Sequence, residues 1–450
     1  MFSREIISRL EQWAGGKDRK PLILRGARQV GKTVAVNLFG ERFDQYISLN
    51  LELPAEREIF QRGLPIPDLF QAILLKKKAG TGAARVLLFL DEVQNSPEAV
   101  ESLRYFYELL PDLHIIAAGS LLEVALAEKQ ISFPVGRVQQ LFMYPLSFRE
   151  FLLATGNEKA AEALETVPLP AYALPTLFGL FHRYTLIGGM PEIVANYSRR
   201  EDLPALNPVY DSLLSTYLDD VGKYGRNPTN STILRHCIES SPFAAGRRIT
   251  FAGFGKSNYR SREVGEALRT LERAMLIYLL RPSTSVKIPI VPDFRKSPRL
   301  QFLDTGLLNY FVGLQDQYFK YDNLHPIHKG LITEHIVGQE LICRETNTRK
   351  KHCFWVREKS QSKAEVDFLL QYRDDVIPVE AKSGKAGSLR SLHQFMERCP
   401  HHWAVRLYSG PLHLQEAVTP AGKPFKLLNL PYFLAAQIPS YLDRMAGEQR

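Results

Sequence analysis

The run Gly26-Ala27-Arg28-Gln29-Val30-Gly31-Lys32-Thr33 leaves a chain few folds to choose from. Before it, Pro21-Leu-Ile-Leu-Arg25 is short and apolar enough for a buried strand, and residues 32–38 have helix-forming character. A glycine-rich turn between strand and helix aims backbone N–H groups at one centre beside the positive end of the helix, which makes a phosphate cradle. Gly26 and Gly31 let the backbone close on phosphate oxygens, while Ala27, Arg28, Gln29 and Val30 line the turn. Lys32 reaches the outer phosphates as a point charge, and the Thr33 hydroxyl is a magnesium ligand. The expected ligands are therefore ATP and Mg2+; the alternative is a chance loop.

A second element narrows that choice. Val86-Leu-Leu-Phe-Leu90 is a continuous apolar strand ending in Asp91-Glu92. Asp91 is placed to hold the magnesium through water, and Glu92 to orient and polarise an attacking water. A bare Asp-Glu after a strand also serves as a helix cap, and that reading stays open. A third strand, His114-Ile-Ile-Ala-Ala-Gly-Ser120, ends in a small polar residue.

With 450 residues, the chain exceeds what one hydrophobic core fills, since cores stop growing at about 250–300 residues. Three domains are expected, over residues 1–155, 156–310 and 311–450. The apolar runs are strand-sized and far below the roughly 20 residues of a membrane span. The start, Met1-Phe-Ser-Arg-Glu5, lacks an apolar signal region. The cysteines, Cys237, Cys343, Cys353 and Cys399, have no metal-binding spacing. These features predict a cytoplasmic protein with reduced thiols and no membrane partner.

The formal net charge of +9 is unevenly spread. Residues 221–300 hold fifteen Lys or Arg against five Asp or Glu. Such asymmetry is the footprint of a polyanion-binding module, with a solvated basic face as the alternative. Within it, Val264, Leu268, Leu271 and Met275 recur at helical spacing, with Arg262, Glu266, Arg269 and Arg273 on the opposite stripe. Strand-like 276–280 and 300–303 then flank Lys287, Arg295, Lys296 and Arg299. A helix followed by a basic hairpin has the outline of a winged helix. In that outline Asn258, Tyr259 and Arg260 meet phosphates or base edges near the helix start, and the hairpin cations track a DNA backbone. Packing against protein is the other use of such a module.

The last third carries Glu334 and Glu340 on a helix-like segment, Asp367 in the strand 364–370, and Glu380 and Lys382 in the strand 376–383. Strand alternation points Glu380 and Lys382 to one face, where a hairpin partner can set Asp367 beside them. Glu334, Asp367 and Glu380 make an oxygen-rich set suited to magnesium, and Lys382 can position a water for attack on a phosphodiester. His393, His401 and His402 have no matching ligand cluster and are expected on the surface.

These motifs, with Gly136-Arg137, Pro145-Leu-Ser-Phe-Arg-Glu-Phe151, Gly188-Gly-Met-Pro-Glu192, Phe302-Leu-Asp-Thr-Gly-Leu307 and Val379-Glu-Ala-Lys-Ser-Gly384, resemble bacterial and archaeal AAA+ ATPases carrying a C-terminal domain of unknown function. The resemblance implies an α/β chain: a P-loop AAA+ core with a parallel sheet, then a helical and winged-helix segment, then a domain similar to the PD-(D/E)XK restriction-endonuclease fold. It implies that Ser120 senses the γ-phosphate or attacking water, although Ala-Ala-Gly-Ser replaces the commoner Thr-Gly-Ser. It places Arg137 as an arginine finger acting in a homo-oligomer; a strand-ending turn and a surface arginine are the plainer readings of these two residues. No sensor-two arginine can be assigned. Two functions follow: an ATP-hydrolysing protein that engages and cuts DNA, or an ATP-dependent switch whose nuclease-like fold is inert and only binds.

Overall fold

The computed structural model describes residues 2, 4–80, 82–120, 122, 134, 136–225, 227–315, 329–346, 352–357, 364–384 and 389–447. Five strands, β1 (Leu22–Arg25), β2 (Gln45–Asn50), β3 (Val86–Asp91), β4 (His114–Gly119) and β5 (Gln139–Phe142), form a sheet in the order β2-β3-β4-β1-β5. Every pairing in it is parallel. Parallel strands covered on both faces must be apolar throughout, which is why β3 and β4 read as unbroken hydrophobic runs. Their alternate residues face different cores. Leu22, Leu24, Leu87 and Phe89 enter one cluster, whereas Ile23, Leu88 and Leu90 enter the other.

The order has a direct consequence for the site. Because β4 lies between β1 and β3, the residue beyond β4 falls between the turn after β1 and the carboxylates after β3. Ligands of such sheets bind outside the carboxyl ends of the strands.

The middle of the chain is helical. Helices Phe148–Ala154, Leu174–Ile187, Pro191–Arg200, Asn207–Tyr224, Pro228–Ala244 and Ser261–Arg273 precede an antiparallel hairpin, β6 (Ile277–Ser283) and β7 (Arg299–Phe302). Helix Ser261–Arg273 buries Val264, Leu268 and Leu271 as their spacing predicts. Met275 instead lies beyond the helix end at φ 60°, still buried but no longer part of the stripe.

The hairpin does not stand alone. Arg281–Ser283 of β6 pair in parallel with Cys353–Trp355 of β8 (Cys353–Val356), which continues through β9 (Glu365–Tyr372), β10 (Asp375–Ala381), β11 (Trp403–Tyr408), β12 (His413–Val418) and β13 (Pro424–Pro431). The result is one eight-stranded sheet, β12-β13-β11-β10-β9-β8-β6-β7. It crosses the separation expected at 310/311, because β6 is long enough to offer one end to β7 and the other to β8. The first core cluster likewise runs from Leu24 and Phe148 through Tyr184 to Val337, Phe368 and Leu428. Among the described residues no helix is long and apolar enough to cross a membrane.

Candidate functional site

The turn after β1 takes the shape its glycines allow. Gln29 has φ 64° and Gly31 φ 94°, so the backbone turns through left-handed conformations just before helix Lys32–Gly40. At Gly26 a Cβ would stand 2.4 Å from the Met143 carbonyl oxygen, so the strand end admits no side chain there. Lys32 is buried, and its Nζ donates to the carbonyls of Gly26 at 3.0 Å and Ala27 at 2.9 Å. Burial lowers its pKa to about 8, against the opposing pull of Glu92 and Asp91.

Thr33 Oγ1 donates to Asp91 Oδ2 across 2.7 Å, bringing the two expected magnesium ligands into contact. A hydroxyl beside a carboxylate, under a cradle of N–H groups, suits a hard cation held together with phosphate oxygens. Glu92 follows at φ 52°, a left-handed conformation that turns its side chain out of the strand line; its N–H donates to Asp91 Oδ1 at 3.0 Å. Ser120 is buried just past β4, and its Oγ has no hydrogen-bond partner among the described residues.

Two residues outside the sequence reading join this group. Gln94 is buried and donates its amide to Glu92 Oε2, while its own Oε1 packs where a Cβ on Gly119 would lie at 2.2 Å. The signal in the sequence was its place two residues after Glu92, just past the strand that ends in Asp91. Arg199 lines the same ≈ 720 Å³ cavity as Gln29, Lys32, Thr33 and Glu92, arriving from helix Pro191–Arg200 on the opposite wall. Only its helical distance from the Gly188-Gly-Met-Pro-Glu192 turn could have pointed to it.

Arg137 is not brought to this cavity. It precedes β5, whose Gln139 pairs with Leu22 at the start of β1, so it lies at the end of the sheet away from the P-loop. Its side chain, 46% exposed, donates to Glu108 Oε1 at 3.0 Å.

The basic face assembles as expected in part. Asn258, Arg260, Arg262, Arg269 and Arg273 are exposed along helix Ser261–Arg273 and the turn before it. Tyr259 is half-buried against His236. In the hairpin Lys287 and Arg295 are exposed, and Lys296 pairs with Asp293. Arg299 departs from the reading that put it among the backbone-tracking cations: as part of β7 it is buried, its side chain only 6% exposed.

Arg299 leads to the C-terminal carboxylates. Its guanidinium lies over the Phe354 ring, pairs with Glu365, and reaches Glu334 Oε2 and Asp367 Oδ1, each at 3.5 Å. The β9–β10 hairpin opposes Val379 to Phe368 and so sets Asp367 beside Glu380. Lys382 Nζ is 2.6 Å from Glu380 Oε1, and Asp367 Oδ2 accepts the Ala381 N–H at 2.9 Å. Burial raises the pKa of Glu334 and of Glu380, each further raised by Asp367. Burial alone would lower Arg299, but Asp367, Glu334 and Glu365 outweigh it and hold the charge more firmly. A metal does not fit this arrangement: a guanidinium stands among the carboxylates, and among the described residues no cluster of three acidic or imidazole ligands converges on one point. His401 also differs from its expected surface position. It is buried, with Nε2 2.8 Å from the Val376 carbonyl and Nδ1 accepting from the Trp403 N–H.

Residues 18–152 match the AAA domain family. Residues 179–318 match a domain of unknown function, DUF8612. Residues 329–420 match another domain of unknown function, DUF4143. No curated protein matches the chain. Among solved structures, the Walker-type ATPase of Pyrococcus abyssi is 18% identical, over 69% of this chain and 96% of that one, with a TM-score of 0.45. The ORC1 protein of Aeropyrum pernix, in complex with DNA, is 15% identical over 70% of this chain and 93% of that one, TM-score 0.31. The ORC2 protein of the same organism is 12% identical over 70% and 92%, TM-score 0.30. The AAA match encloses Gly26–Thr33, Asp91, Glu92, Ser120 and Arg137, and gives the N-terminal segment of this chain an ATP-binding domain of AAA type.

Proposed function

We propose that this chain is an ATPase whose nucleotide cycle controls its grip on DNA. The observation that carries the hydrolytic half is the contact of Thr33 with Asp91, with Glu92 set beside it by backbone and by Gln94. When bound, magnesium neutralises charge on the outer phosphate oxygens. The P-loop N–H groups and Lys32 hold those phosphates, Glu92 takes up the proton of the attacking water, and Ser120 and Arg199 supply further donors from β4 and the opposite wall. Arg137, at the far end of the sheet and paired with Glu108, reaches a nucleotide only if a neighbouring subunit brings one to it, so its finger role goes with a homo-oligomer, and the plainer reading is a surface ion pair.

The DNA half rests on the exposed Arg260, Arg262, Arg269 and Arg273, with Lys287 and Arg295 on the hairpin. Asp293 pairs with Arg295 and Glu266 stands among the helix arginines, but the fifteen Lys or Arg against five Asp or Glu in residues 221–300 favour a phosphate backbone over an ordinary solvated face. In this proposal residues 156–310 are the helical and winged-helix unit, and residues 311–450 supply an ion-paired nuclease-like fold that binds rather than cuts. A cutting reading keeps one observation in its favour, the buried Glu380 Oε2 with no partner among the described residues. The test of the main reading is the ATPase rate with and without duplex DNA. Stimulation is expected, and a rate indifferent to DNA at every salt concentration would overturn the coupling.

A further inference from the structure

The P-loop is gripped from outside by helix Asn207–Tyr224. Arg28 Nη1 donates to Asp220 Oδ2 at 2.8 Å, and the Arg28 carbonyl accepts from Tyr217 OH at 2.8 Å. The Asp220 side chain is 5% exposed, whereas Arg28 is 31% exposed because its other edge faces the nucleotide cavity. Its charge is felt inside that cavity: burial chiefly lowers the Lys32 pKa, and Arg28 adds to the lowering. A guanidinium presents its N–H donors as a rigid planar fork, so turning that fork toward a second anion in the cavity takes Nη1 off the line of its bond to Asp220 Oδ2.

We infer that the Arg28–Asp220 ion pair is a nucleotide-responsive latch, in which a phosphate group of the bound nucleotide and Asp220 compete for the same guanidinium. Bound polyphosphate draws Arg28 inward and weakens its hold on Asp220. Asp220 and Tyr217 both hold Arg28 from helix Asn207–Tyr224, so moving the guanidinium inward loosens that helix's grip on the P-loop. That helix packs on Pro228–Ala244, which packs on Ser261–Arg273, the bearer of the exposed arginines. The latch thus gives the nucleotide site a contiguous route to the basic face. By linkage, whatever loosens Asp220 tightens nucleotide, and the reverse.

The inference rests on the ATP-binding reading and is tested separately from it. The full chain is titrated with the fluorescent analogue mant-ATP in magnesium buffer, as wild type, Asp220→Asn, Arg28→Gln and the double variant. Asn keeps an oxygen for the Arg28 bond and loses the charge, so Asp220→Asn is expected to bind about fivefold tighter, at the low end of ordinary coupling. Arg28→Gln should bind more weakly, and in its background Asp220→Asn should change nothing. In wild type, nucleotide should speed amide exchange across residues 207–224; in Arg28→Gln it should not. An unchanged or weaker affinity in Asp220→Asn, the same gain in the double variant, or exchange in 207–224 indifferent to nucleotide would overturn the latch. Wild type failing to bind mant-ATP would overturn the nucleotide reading itself. Arg28→Gln keeps the question answerable should Asp220→Asn fold poorly, since a wild-type affinity in that variant also rejects the latch.

Discussion

Thr33 and Asp91 touch across 2.7 Å although they lie 58 positions apart in the chain, and that one contact joins the glycine-rich turn after β1 to the carboxylate that ends β3. The turn follows β1, the carboxylate ends β3, and β4 lies between them. With β4 next to β1, the strand order puts Thr33, Ser120 and Asp91 at the same edge of the sheet.

The first prediction follows from this division of labour. Lys32→Ala removes the buried cation aimed at the phosphates and should abolish mant-ATP binding. Glu92→Gln keeps shape and loses basicity, so it should bind mant-ATP like wild type while phosphate release falls about 10²- to 10⁴-fold. Wild-type phosphate release from either variant would remove the assignment.

How far these sites were legible depends on whether the signal was local. The P-loop, β3 and β4 are consecutive residues with a repeating physical character, and their places in the fold could be read directly. The Asp367, Glu380 and Lys382 cluster was legible for the same reason, since strand alternation and a hairpin suffice to bring the three together. Arg299 was not. In the chain it reads as one more cation in a basic hairpin, and nothing nearby shows that β6 will pair with β8, through Arg281 and Cys353, and carry β7 over the carboxylates. Arg199 and Asp220 were hidden likewise, because each meets the nucleotide cavity or the P-loop only through helix packing.

The basic face makes a salt-dependent prediction. If Arg262, Arg269 and Arg273 meet phosphates, the affinity for duplex DNA falls steeply as salt rises, because each neutralised phosphate releases counterions. Arg269→Glu removes one contact and adds repulsion, so it should weaken binding about tenfold at low salt and lower the slope of log K against log salt by about one. Since Arg269 is exposed and outside the nucleotide cavity, mant-ATP affinity should not change. An affinity independent of salt would reject the face as a DNA site.

For the C-terminal cluster, the ion-paired reading predicts that wild type leaves labelled DNA intact in magnesium. Arg299→Ala would then leave Glu334, Glu365 and Asp367 facing one another in a buried site. The loss of such a partner costs about 3–5 kcal/mol and should appear in chemical denaturation of the chain. Cleavage by wild type that disappears in Asp367→Ala would instead establish the cutting reading. Cleavage by both would place the activity elsewhere.

The last prediction concerns Glu340, which ties helix Lys329–Cys343 to the ATPase domain. Its Oε1 accepts from the Phe148 N–H at 3.0 Å and from Tyr184 OH at 2.8 Å. Burial raises its pKa to about 8, although both hydrogen bonds favour the charged form. A carboxyl raised in the folded state keeps a proton that the unfolded chain releases above its ordinary value near 4.5. Stability from this group is therefore highest below that value and falls as pH rises toward 8. Glu340→Gln retains an oxygen acceptor for both donors and cannot ionise. It should melt about 2–3 °C above wild type at pH 5, just past the unfolded value, and several times further above it at pH 8, on the scale of ~2–4 °C per kcal/mol for domains of this size. Differential scanning at the two pH values, with the buffer as the only variable, measures this. Equal melting shifts at pH 5 and pH 8 would mean that Glu340 stays ionised throughout and that its two donors outweigh its burial.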